Sequence, residues 1–359
     1  FPEFEGEWEE KQLGNIIKVN SGKDYKHLDK GDIPVYGTGG YMTSVSEPLS
    51  EIDAVGIGRK GTINKPYLLE APFWTVDTLF YCTPKKETDI LFILSLFRKI
   101  NWKVYDESTG VPSLSKQTIN KINRFVPTNK EQQKIGKFFS KLDRQIELEE
   151  QKLELLQQQK KGYMQKIFSQ ELRFKDENGN DYPDWTNERL GEVTTVTMGQ
   201  SPKSVNYTDN SNDTVLIQGN ADIENGLINP RIYTREVTKL IQKDEIILTV
   251  RAPVGKLAMA QINACIGRGV CSIKGDKFLY YFLEWFATQN KWIRFSQGST
   301  FESISGNDIR NIHIKIPVED ERTKIIKLLN SLDVLNSKTD LKIQNLKQRK
   351  QSLLQKIFV

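Results

Sequence analysis

Apolar residues recur with alternating spacings of four and three along residues 130–168 and again along 319–358. A heptad pattern sustained over more than four heptads predicts a long helix whose apolar stripe pairs with another helix, as in a coiled coil. Polar residues interrupt the stripe at Glu149 and Lys160 in the first segment, and at Thr339 and Lys350 in the second. The predicted seam residues are Leu142, Ile146, Leu153 and Leu156 in the first helix, and Leu332, Ile343, Leu346 and Leu353 in the second.

The rest of the chain has a different pattern, with short β-branched runs separated by turn residues. Runs at 33–36, 54–57, 246–250 and 312–316 predict strands, and the glycine-rich 37–40 and 224–226 predict turns. One helical stretch lies in each of these regions, at 89–102 and 276–295. We therefore expect two compact α/β domains beside the two helices.

The chain is a tandem duplication. The tetrapeptide QKIF at 165–168 recurs at 355–358, which is 190 residues later, and Leu142-Asp143 recurs as Leu332-Asp333. Nearer the front of each copy, Trp8 matches Trp185 at an offset of 177, so the second copy holds about 13 extra residues. Such regular matches identify one unit of about 180 residues that is present twice.

The expected fold is α+β, with two globular α/β domains alternating with two long helices. We place the first domain at 1–127, the first helix at 128–168, a polar linker at 169–184, the second domain at 185–317 and the second helix at 318–359. The helices should pair antiparallel and relate the copies by a pseudo-two-fold axis. The alternative is that each helix packs only on its own domain.

Composition and charge limit the classes of function. The chain is 38% hydrophobic and 27% charged, with a net charge of +5, which permits a nucleic-acid partner without requiring one. Three scattered cysteines and two isolated histidines argue against a metal site and leave little material for a nucleophilic triad. No apolar run is long enough to span a membrane, and no signal peptide is evident. We expect a cytoplasmic protein, with native residues preceding Phe1.

Motifs for chemistry are absent or incomplete. Residues 56–61, GIGRKG, match G-x-G-x-x-G formally, but the following TINKPY cannot open the helix that a dinucleotide site needs. There is no phosphate-binding loop of the ATPase type, and Pro183-Asp184 is followed by no Glu-x-Lys of a nuclease. The sequence therefore shows no catalytic constellation.

Basic residues beside glycines are the best candidates for a binding site. Cations on tight turns can approach a phosphate or a base edge, and arginine is the commonest reader of guanine. The alternative at each position is a solvated turn, or for Arg268 a structural ion pair. The predicted nucleic-acid contacts are the cations Arg59 and Lys60 in the first domain and Arg251, Lys256 and Arg268 in the second. Tyr36, Gln218 and Asn220 are further predicted base or backbone contacts from turn positions. Residues 59–62 align roughly with 251–256.

An ordered set of motifs resembles the specificity subunit of Type I restriction–modification systems, over essentially the whole chain. The second half carries LTVRAPVG at 248–255, CIGRG at 265–269 and QGST at 297–300. The first half carries IPVYGTGG at 33–40, GRKG at 58–61 and FWTVDTLF at 73–80. The resemblance implies two target recognition domains that each read half of a bipartite, asymmetric DNA site, and two helices that set the spacing between the halves.

The resemblance also implies the partners. Two modification subunits would bring S-adenosylmethionine and methylate adenine, and restriction subunits would bring ATP, magnesium and cleavage, so this chain would bind no cofactor itself. Two other hypotheses remain at this stage: a nuclease or fused methyltransferase with an unrecognised active site, and a coiled-coil scaffold without a DNA role. A mobility-shift assay with the modification subunits separates them.

Overall fold

The computed structural model describes Phe4, residues 6–292 and residues 303–358. The QGST motif at 297–300 and the end of the predicted helix at 276–295 lie outside the described residues. The chain forms two compact units. Unit 1 draws on Phe1–Lys152 and Thr339–Val359, and unit 2 draws on Leu153–Lys338.

The described residues form eight α-helices and twenty-two strands. The helices are α1 (Leu13–Ile16), α2 (Ile90–Lys99), α3 (Lys116–Lys121), α4 (Asn129–Phe168), α5 (Leu190–Val193), α6 (Lys277–Thr288), α7 (Gly306–Arg310) and α8 (Glu319–Ile357). Unit 1 has strands β1 (Glu9–Gln12), β2 (Ile17–Ser21), β3 (Lys30–Gly37), β4 (Gly40–Val45), β5 (Ala54–Gly58), β6 (Tyr67–Leu69), β7 (Trp74–Thr75), β8 (Leu79–Pro84) and β9 (Asn123–Val126).

The strands of unit 2 are more numerous and shorter. They are β10 (Thr186–Arg189), β11 (Val196–Met198), β12 (Tyr207–Thr208), β13 (Thr214–Ile217), β14 (Ile223–Glu224), β15 (Leu227–Ile228), β16 (Tyr233–Thr234), β17 (Leu240–Ile241), β18 (Ile246–Thr249), β19 (Leu257–Met259), β20 (Ala264–Ile266), β21 (Val270–Ile273) and β22 (His313–Ile316). Short 3₁₀ turns lie at Trp102–Tyr105, Ser204–Asn206 and Asn220–Asp222.

Unit 1 is built on an antiparallel four-stranded sheet of order β2-β8-β5-β6. Helix α2 begins after Asp89, whose carboxylate accepts a hydrogen bond from the backbone of Phe92. Its apolar residues, including Phe92, Ile93 and Phe97, are buried in the main core of the unit. A second sheet, of order β4-β3-β7, contains the predicted turn at 37–40, and β1 pairs with β9.

Unit 2 repeats this plan. Its four-stranded sheet has the order β11-β21-β18-β19, β10 pairs with β22, and α6 fills the place of α2. The pairing of Val55 with Cys82 is matched by that of Ile246 with Ile273, each 191 residues later. Its second sheet has five strands in the order β12-β16-β13-β20-β17, and β14 and β15 form an additional two-stranded sheet.

Within unit 1, the first half of α4 and the last half of α8 run antiparallel. Leu142 and Ile146 form a buried cluster with Leu346. Asp143 pairs with Lys350 and Glu149 with Lys342, so residue numbers rise along α4 as they fall along α8. The polar residues that interrupt the heptads at Glu149 and Lys350 therefore form ion pairs between the two helices.

Within unit 2, the second half of α4 and the first half of α8 also run antiparallel. Lys160 is largely buried, and its ammonium lies 2.7 Å from Asp333 and 2.8 Å from Glu284. Burial raises the pKa of Glu284 above its ordinary value, despite the adjacent lysine. Lys160 and Asp333 correspond to Lys350 and Asp143 of unit 1, so the duplicated pair occurs once in each unit.

The ends of the long helices pack on the globular parts, and the seam residues divide accordingly. The start of α4 adds Ile135 and Phe139 to the core of unit 1, and its end adds Ile167 to that of unit 2. Leu332 is buried in the core of unit 2, and Leu353 packs partly buried against that of unit 1. The remaining seam residues are Ile343, which is buried, and Leu153 and Leu156, which are half-buried. Each helix thus packs on globular cores as well as on the other helix.

Aromatic residues fix the helix ends. In unit 2, the ring of Phe278 lies between those of Phe168 and Trp185, at 5.5 and 5.8 Å. In unit 1, Phe92, Phe358 and Trp8 form the corresponding trio, with ring centres 5.6 to 6.3 Å apart. Phe358 ends the second copy of the duplication and Trp8 begins the first. The core of unit 1 therefore combines the two extremes of the chain.

Candidate nucleic-acid interface

In unit 1, the predicted basic turn follows β5 directly. The backbone N–H of Arg59 donates to Thr78 at 2.8 Å, and its carbonyl accepts from Leu114 at 2.9 Å. Lys60 pairs with Ser113 in an isolated antiparallel bridge, and Gly61 has a positive φ of 87° that suits glycine. Two chain segments therefore hold the backbone, while the Arg59 and Lys60 side chains are exposed.

The two cations of this turn differ in their surroundings. The Arg59 guanidinium donates to the backbone carbonyl of Asp77 at 3.4 Å and lies 5.8 Å from the centre of the Phe80 ring. The ammonium of Lys60 has no hydrogen bond or ion pair within the described part of the chain. Lys60 is thus the freer of the two to meet a phosphate.

Tyr36 belongs to an aromatic cluster at the end of β3. Its ring centre lies 6.4 Å from that of Tyr41 and 6.2 Å from that of Tyr67. Burial raises the pKa of Tyr67, whose hydroxyl donates to Gly37 at 2.5 Å. Tyr36 is half-buried, whereas Tyr41 is 64% exposed. Tyr41 is therefore the more accessible ring, although no sequence motif had indicated it.

In unit 2, Arg251 occupies the turn after β18 and forms an isolated bridge with Ser303. The N–H of Val250 donates to Gly269 at 2.9 Å, and its carbonyl accepts from Ile304 at 2.9 Å. These are the contacts that Arg59 makes in unit 1, so Val250 corresponds to Arg59, and Arg251 corresponds to Lys60. The rough alignment of residues 59–62 with 251–256 is therefore one residue out of register.

Lys256 is directed inward more than the sequence suggested. Its ammonium donates to the backbone carbonyls of Asn220 at 3.1 Å and Ile223 at 2.6 Å. The side chain therefore fixes the 3₁₀ turn that presents Asn220. Its role as a direct DNA contact stays a prediction, because those hydrogen bonds occupy two of its three donors.

Arg268 lies between two glycines that pack tightly on the segment of Gln218. A Cβ added to Gly269 would lie 1.9 Å from the Gln218 carbonyl, and Gly267 donates to the carbonyl of Ile217 at 2.7 Å. The guanidinium of Arg268 is exposed and has no ion pair or hydrogen bond among the described residues. The glycines therefore bring Arg268 beside Gln218.

A buried carboxylate organises this region. Asp222 is 6% exposed and accepts hydrogen bonds from the backbone of Gln218 at 2.8 Å and Gly219 at 3.1 Å. The sequence analysis did not single it out, although an aspartate four residues after Gln218 is a possible turn acceptor. Asp222 thus holds Gln218 and Asn220 at the ends of one turn.

The five predicted residues of unit 2 form one connected site. Backbone hydrogen bonds join the turn of Arg251 to Gly269, and Gly267 to Ile217 beside Gln218. The Lys256 ammonium donates to the carbonyl of Asn220. In unit 1, Tyr36, Arg59 and Lys60 meet through the segment at 76–78. Each unit therefore presents exposed cations on backbone-held turns, which suits phosphates and guanine edges.

Metal sites and membrane-spanning helices are the two other features relevant to function. Over the ranges that the structure describes, no group of three or more His, Cys, Asp or Glu could hold a metal ion. Within the same ranges, no helix has both the length and the apolar character needed to cross a bilayer.

The chain was compared with known families and curated proteins. A family model described as the Type I restriction modification DNA specificity domain matches residues 5–158 and 182–348. A putative type I restriction enzyme MjaX specificity subunit of Methanocaldococcus jannaschii is 30% identical over 261 residues, covering 68% of this chain and 61% of the relative. The MjaVIII specificity subunit of the same organism is 25% identical over 312 residues, covering 80% of this chain and 71% of the relative. This chain thus spans less than two thirds of the MjaX subunit.

Solved structures share the fold. The S subunit of a type I restriction-modification system from M. genitalium superposes with a TM-score of 0.70 at 16% identity, covering 98% of this chain and 96% of that chain. A chain from a structure of the assembly and conformational transition of the type I R-M system gives a TM-score of 0.61 at 19% identity, covering 98% and 97%. Both likenesses extend over nearly the whole of each chain.

Proposed function

Because this chain belongs to the family of Type I restriction modification DNA specificity domains, we propose that it is the DNA-reading specificity subunit of such a system. The observation that carries the proposal is the matched pair of exposed cations, Lys60 in unit 1 and Arg251 in unit 2. Lys60 lies just after β5 and Arg251 just after β18, which are equivalent strands of the two four-stranded sheets. Each residue forms an isolated bridge to a serine. Paired basic turns of this kind suit a protein that contacts DNA twice.

The DNA target is bipartite and asymmetric. The family model matches twice, once in each half of the chain, so each half reads one half-site. A protein with identical halves would read a symmetric site. Here the residues at matched positions differ, with Lys60 against Arg251 and the second half carrying an additional sheet. The two half-sites should accordingly be unrelated in sequence.

Catalysis is supplied by partner subunits. Two modification subunits bring S-adenosylmethionine and methylate adenine, and restriction subunits bring ATP, magnesium and DNA cleavage. The specificity subunit chooses the site and binds none of these cofactors. Its location with them is the cytoplasm.

Within each unit, exposed apolar side chains on the long helices are the proposed contacts for those subunits. Leu148 and Leu155 on α4, and Val334, Leu335 and Leu341 on α8, are between 43% and 65% exposed. Modification subunits that bind here would leave the basic turns free for DNA.

The test is a mobility-shift assay with the chain and the modification subunits of its system. A radiolabelled genomic target should bind in a salt-dependent manner, because each phosphate contact steepens the decline of affinity with salt. Sequencing of methylated sites should then give one motif with two separated, different halves. A complex that binds DNA without methylating any such motif would contradict the proposal, and so would a chain that binds no DNA with its partners present.

A further inference from the structure

Arg268 has a counterpart of opposite charge in unit 1. The N–H of Gly267 donates to the Ile217 carbonyl at 2.7 Å, as that of Val76 donates to Tyr36 at 3.0 Å. On the other side, the carbonyl of Gly269 accepts from Val250 at 2.9 Å, as that of Thr78 accepts from Arg59 at 2.8 Å. The residue between each pair is Arg268 in unit 2 and Asp77 in unit 1. The two therefore occupy the same place in the fold.

The Asp77 carboxylate is exposed, and no local ion pair among the described residues accounts for an acidic residue at this position. The Arg59 guanidinium donates to the backbone carbonyl of Asp77 and not to its carboxylate. Within the described residues, the carboxylate has no ion pair and no hydrogen bond. An acidic group on a surface that otherwise presents cations would repel phosphates, so it is unfavourable unless it meets a hydrogen-bond donor.

We infer that Asp77 is a specificity residue that accepts a hydrogen bond from the exocyclic amino group of a cytosine in the major groove. The inference rests on the proposed function. Cytosine presents an amino donor on its major-groove edge, which matches a carboxylate. Adenine presents its amino group beside the N7 acceptor, guanine presents two acceptors, and thymine presents an acceptor and a methyl group. A carboxylate therefore selects cytosine over the other three bases.

The paired position makes the inference specific to one half-site. Arg268, at the matched place in unit 2, has the donors that suit guanine O6 and N7. Asp77 has acceptors only, because an ionised carboxylate donates no hydrogen bond. The same place in the fold thus suits cytosine in one half-site and guanine in the other, according to the charge of its side chain.

The experiment is methylome sequencing of cells that express the full chain with its modification subunits. Asp77→Ala should relax one position of one half-site, and that position should be a G·C pair in the wild-type motif. Discrimination at that pair should fall by about 5- to 30-fold, because one base contact contributes on the order of 1–2 kcal/mol and each ~1.4 kcal/mol is a factor of ten. Asp77→Asn should admit adenine at the same position, because an amide pairs with adenine N6 and N7.

Two controls separate the outcomes. Asp32→Ala removes an exposed carboxylate near the start of β3, the end opposite Tyr36, and should leave both half-sites unchanged. If the Asp77→Ala chain does not assemble with the modification subunits, the near-isosteric Asp77→Asn variant tests the cytosine contact in its place. A wild-type motif that Asp77→Ala leaves intact, or relaxes at an A·T pair, overturns the inference while the proposed function stands. A wild-type complex whose methylated sites show no bipartite motif would contradict the proposed function itself.

Discussion

Lys160 of α4 and Asp333 of α8 form an ion pair of 2.7 Å, and the duplication places Lys350 and Asp143 together in the same way. In unit 2, Glu284 joins the pair, so one ammonium faces two carboxylates. In unit 1, Arg98 contacts Asp143 instead, so one carboxylate faces two cations. Because the two networks have opposite excess charge, their contributions to stability should respond differently to the loss of the lysine.

Replacing Lys160 should destabilise unit 2. Lys160→Ala leaves Asp333 and Glu284 facing one another without a cation, and each is only about one third exposed. We expect a loss of about 1–3 kcal/mol, less than for a fully buried pair because solvent screens both carboxylates. Urea unfolding measures it. Lys161→Ala is the control, because Lys161 is exposed on the same turn, and an equal loss in both variants would contradict the prediction.

Removing Arg251 should weaken DNA binding or relax the target. Arg251→Ala should cost about 1–3 kcal/mol if the guanidinium reads a base, and should relax one position of the half-site. Lys243→Ala removes one positive charge near the opposite end of β18 and should change affinity less than about twofold. Titrations of the complex with labelled DNA compare them. Identical behaviour of the two variants would exclude a special role for Arg251.

The salt dependence of DNA binding can distinguish a phosphate contact by Lys60 from a base contact by Arg59. If Lys60 contacts a phosphate, Lys60→Ala should lower the slope of log affinity against log salt by about 0.9, without changing the recognised sequence. Arg59→Ala tests the base-reading role that the sequence suggested. If Arg59→Ala and Arg251→Ala both leave binding and target choice unchanged, the basic turns are not the DNA interface.

Gly269 should tolerate no side chain. A Cβ there would lie 1.9 Å from the backbone oxygen of Gln218, which cannot move aside as a flexible side chain could. Gly269→Ala should therefore destabilise unit 2 by about 1–3 kcal/mol, as overpacking does. Gly219→Ala is the matched control, because a Cβ at Gly219 meets nothing within 4 Å. Thermal unfolding of both variants checks this, and a normal melting temperature for Gly269→Ala would show that the segment can shift.

The long helices should set the spacing between the half-sites. Inserting four residues between Lys152 and Leu153, and four between Lys338 and Thr339, lengthens both helices by about 6 Å at 1.5 Å per residue. At 3.4 Å per base pair, the motif should gain one to two base pairs of spacer with the same half-sites. Four residues make just over one turn, so the seam is kept as a stutter.

Methylome sequencing of the insertion variant reads the spacer directly. The control is a four-residue insertion after Asn178, which lies in an exposed turn outside both helices. That variant should keep the original motif. Altered half-sites with an unchanged spacer in the helix variant would mean that the helices do not set the distance.

Local patterns predicted the helices well, because a heptad repeat is visible in a short window. Residues 130–168 and 319–358 were expected to be helical, and α4 and α8 have those bounds to within a residue or two. Their antiparallel pairing followed from the duplication, because each helix leaves the end of its own domain and antiparallel pairing relates the two copies by a pseudo-two-fold axis.

The binding residues were harder to assign, because their environment depends on distant contacts. The sequence gives no sign that the ammonium of Lys256 would bond to carbonyls more than thirty residues away. The correspondence of Lys60 with Arg251, and of Asp77 with Arg268, follows from strand register and backbone hydrogen bonds. Extra residues in the second copy shift the sequence offset along the chain, so the sequence pattern alone placed Arg59 opposite Arg251.

The place of Phe358 and Leu354 in the core of unit 1 affects how the protein is made. The ribosome releases Val126, the last strand residue of that core, about 230 residues before Phe358. At about 5–20 residues per second, the first domain waits roughly 10–50 s for the side chains that complete it. During that time the apolar surface around Trp8 and Phe92 stays uncovered and open to chaperones. A chain that lacks Leu354 and Phe358 keeps that surface exposed and is a natural substrate for cellular proteases.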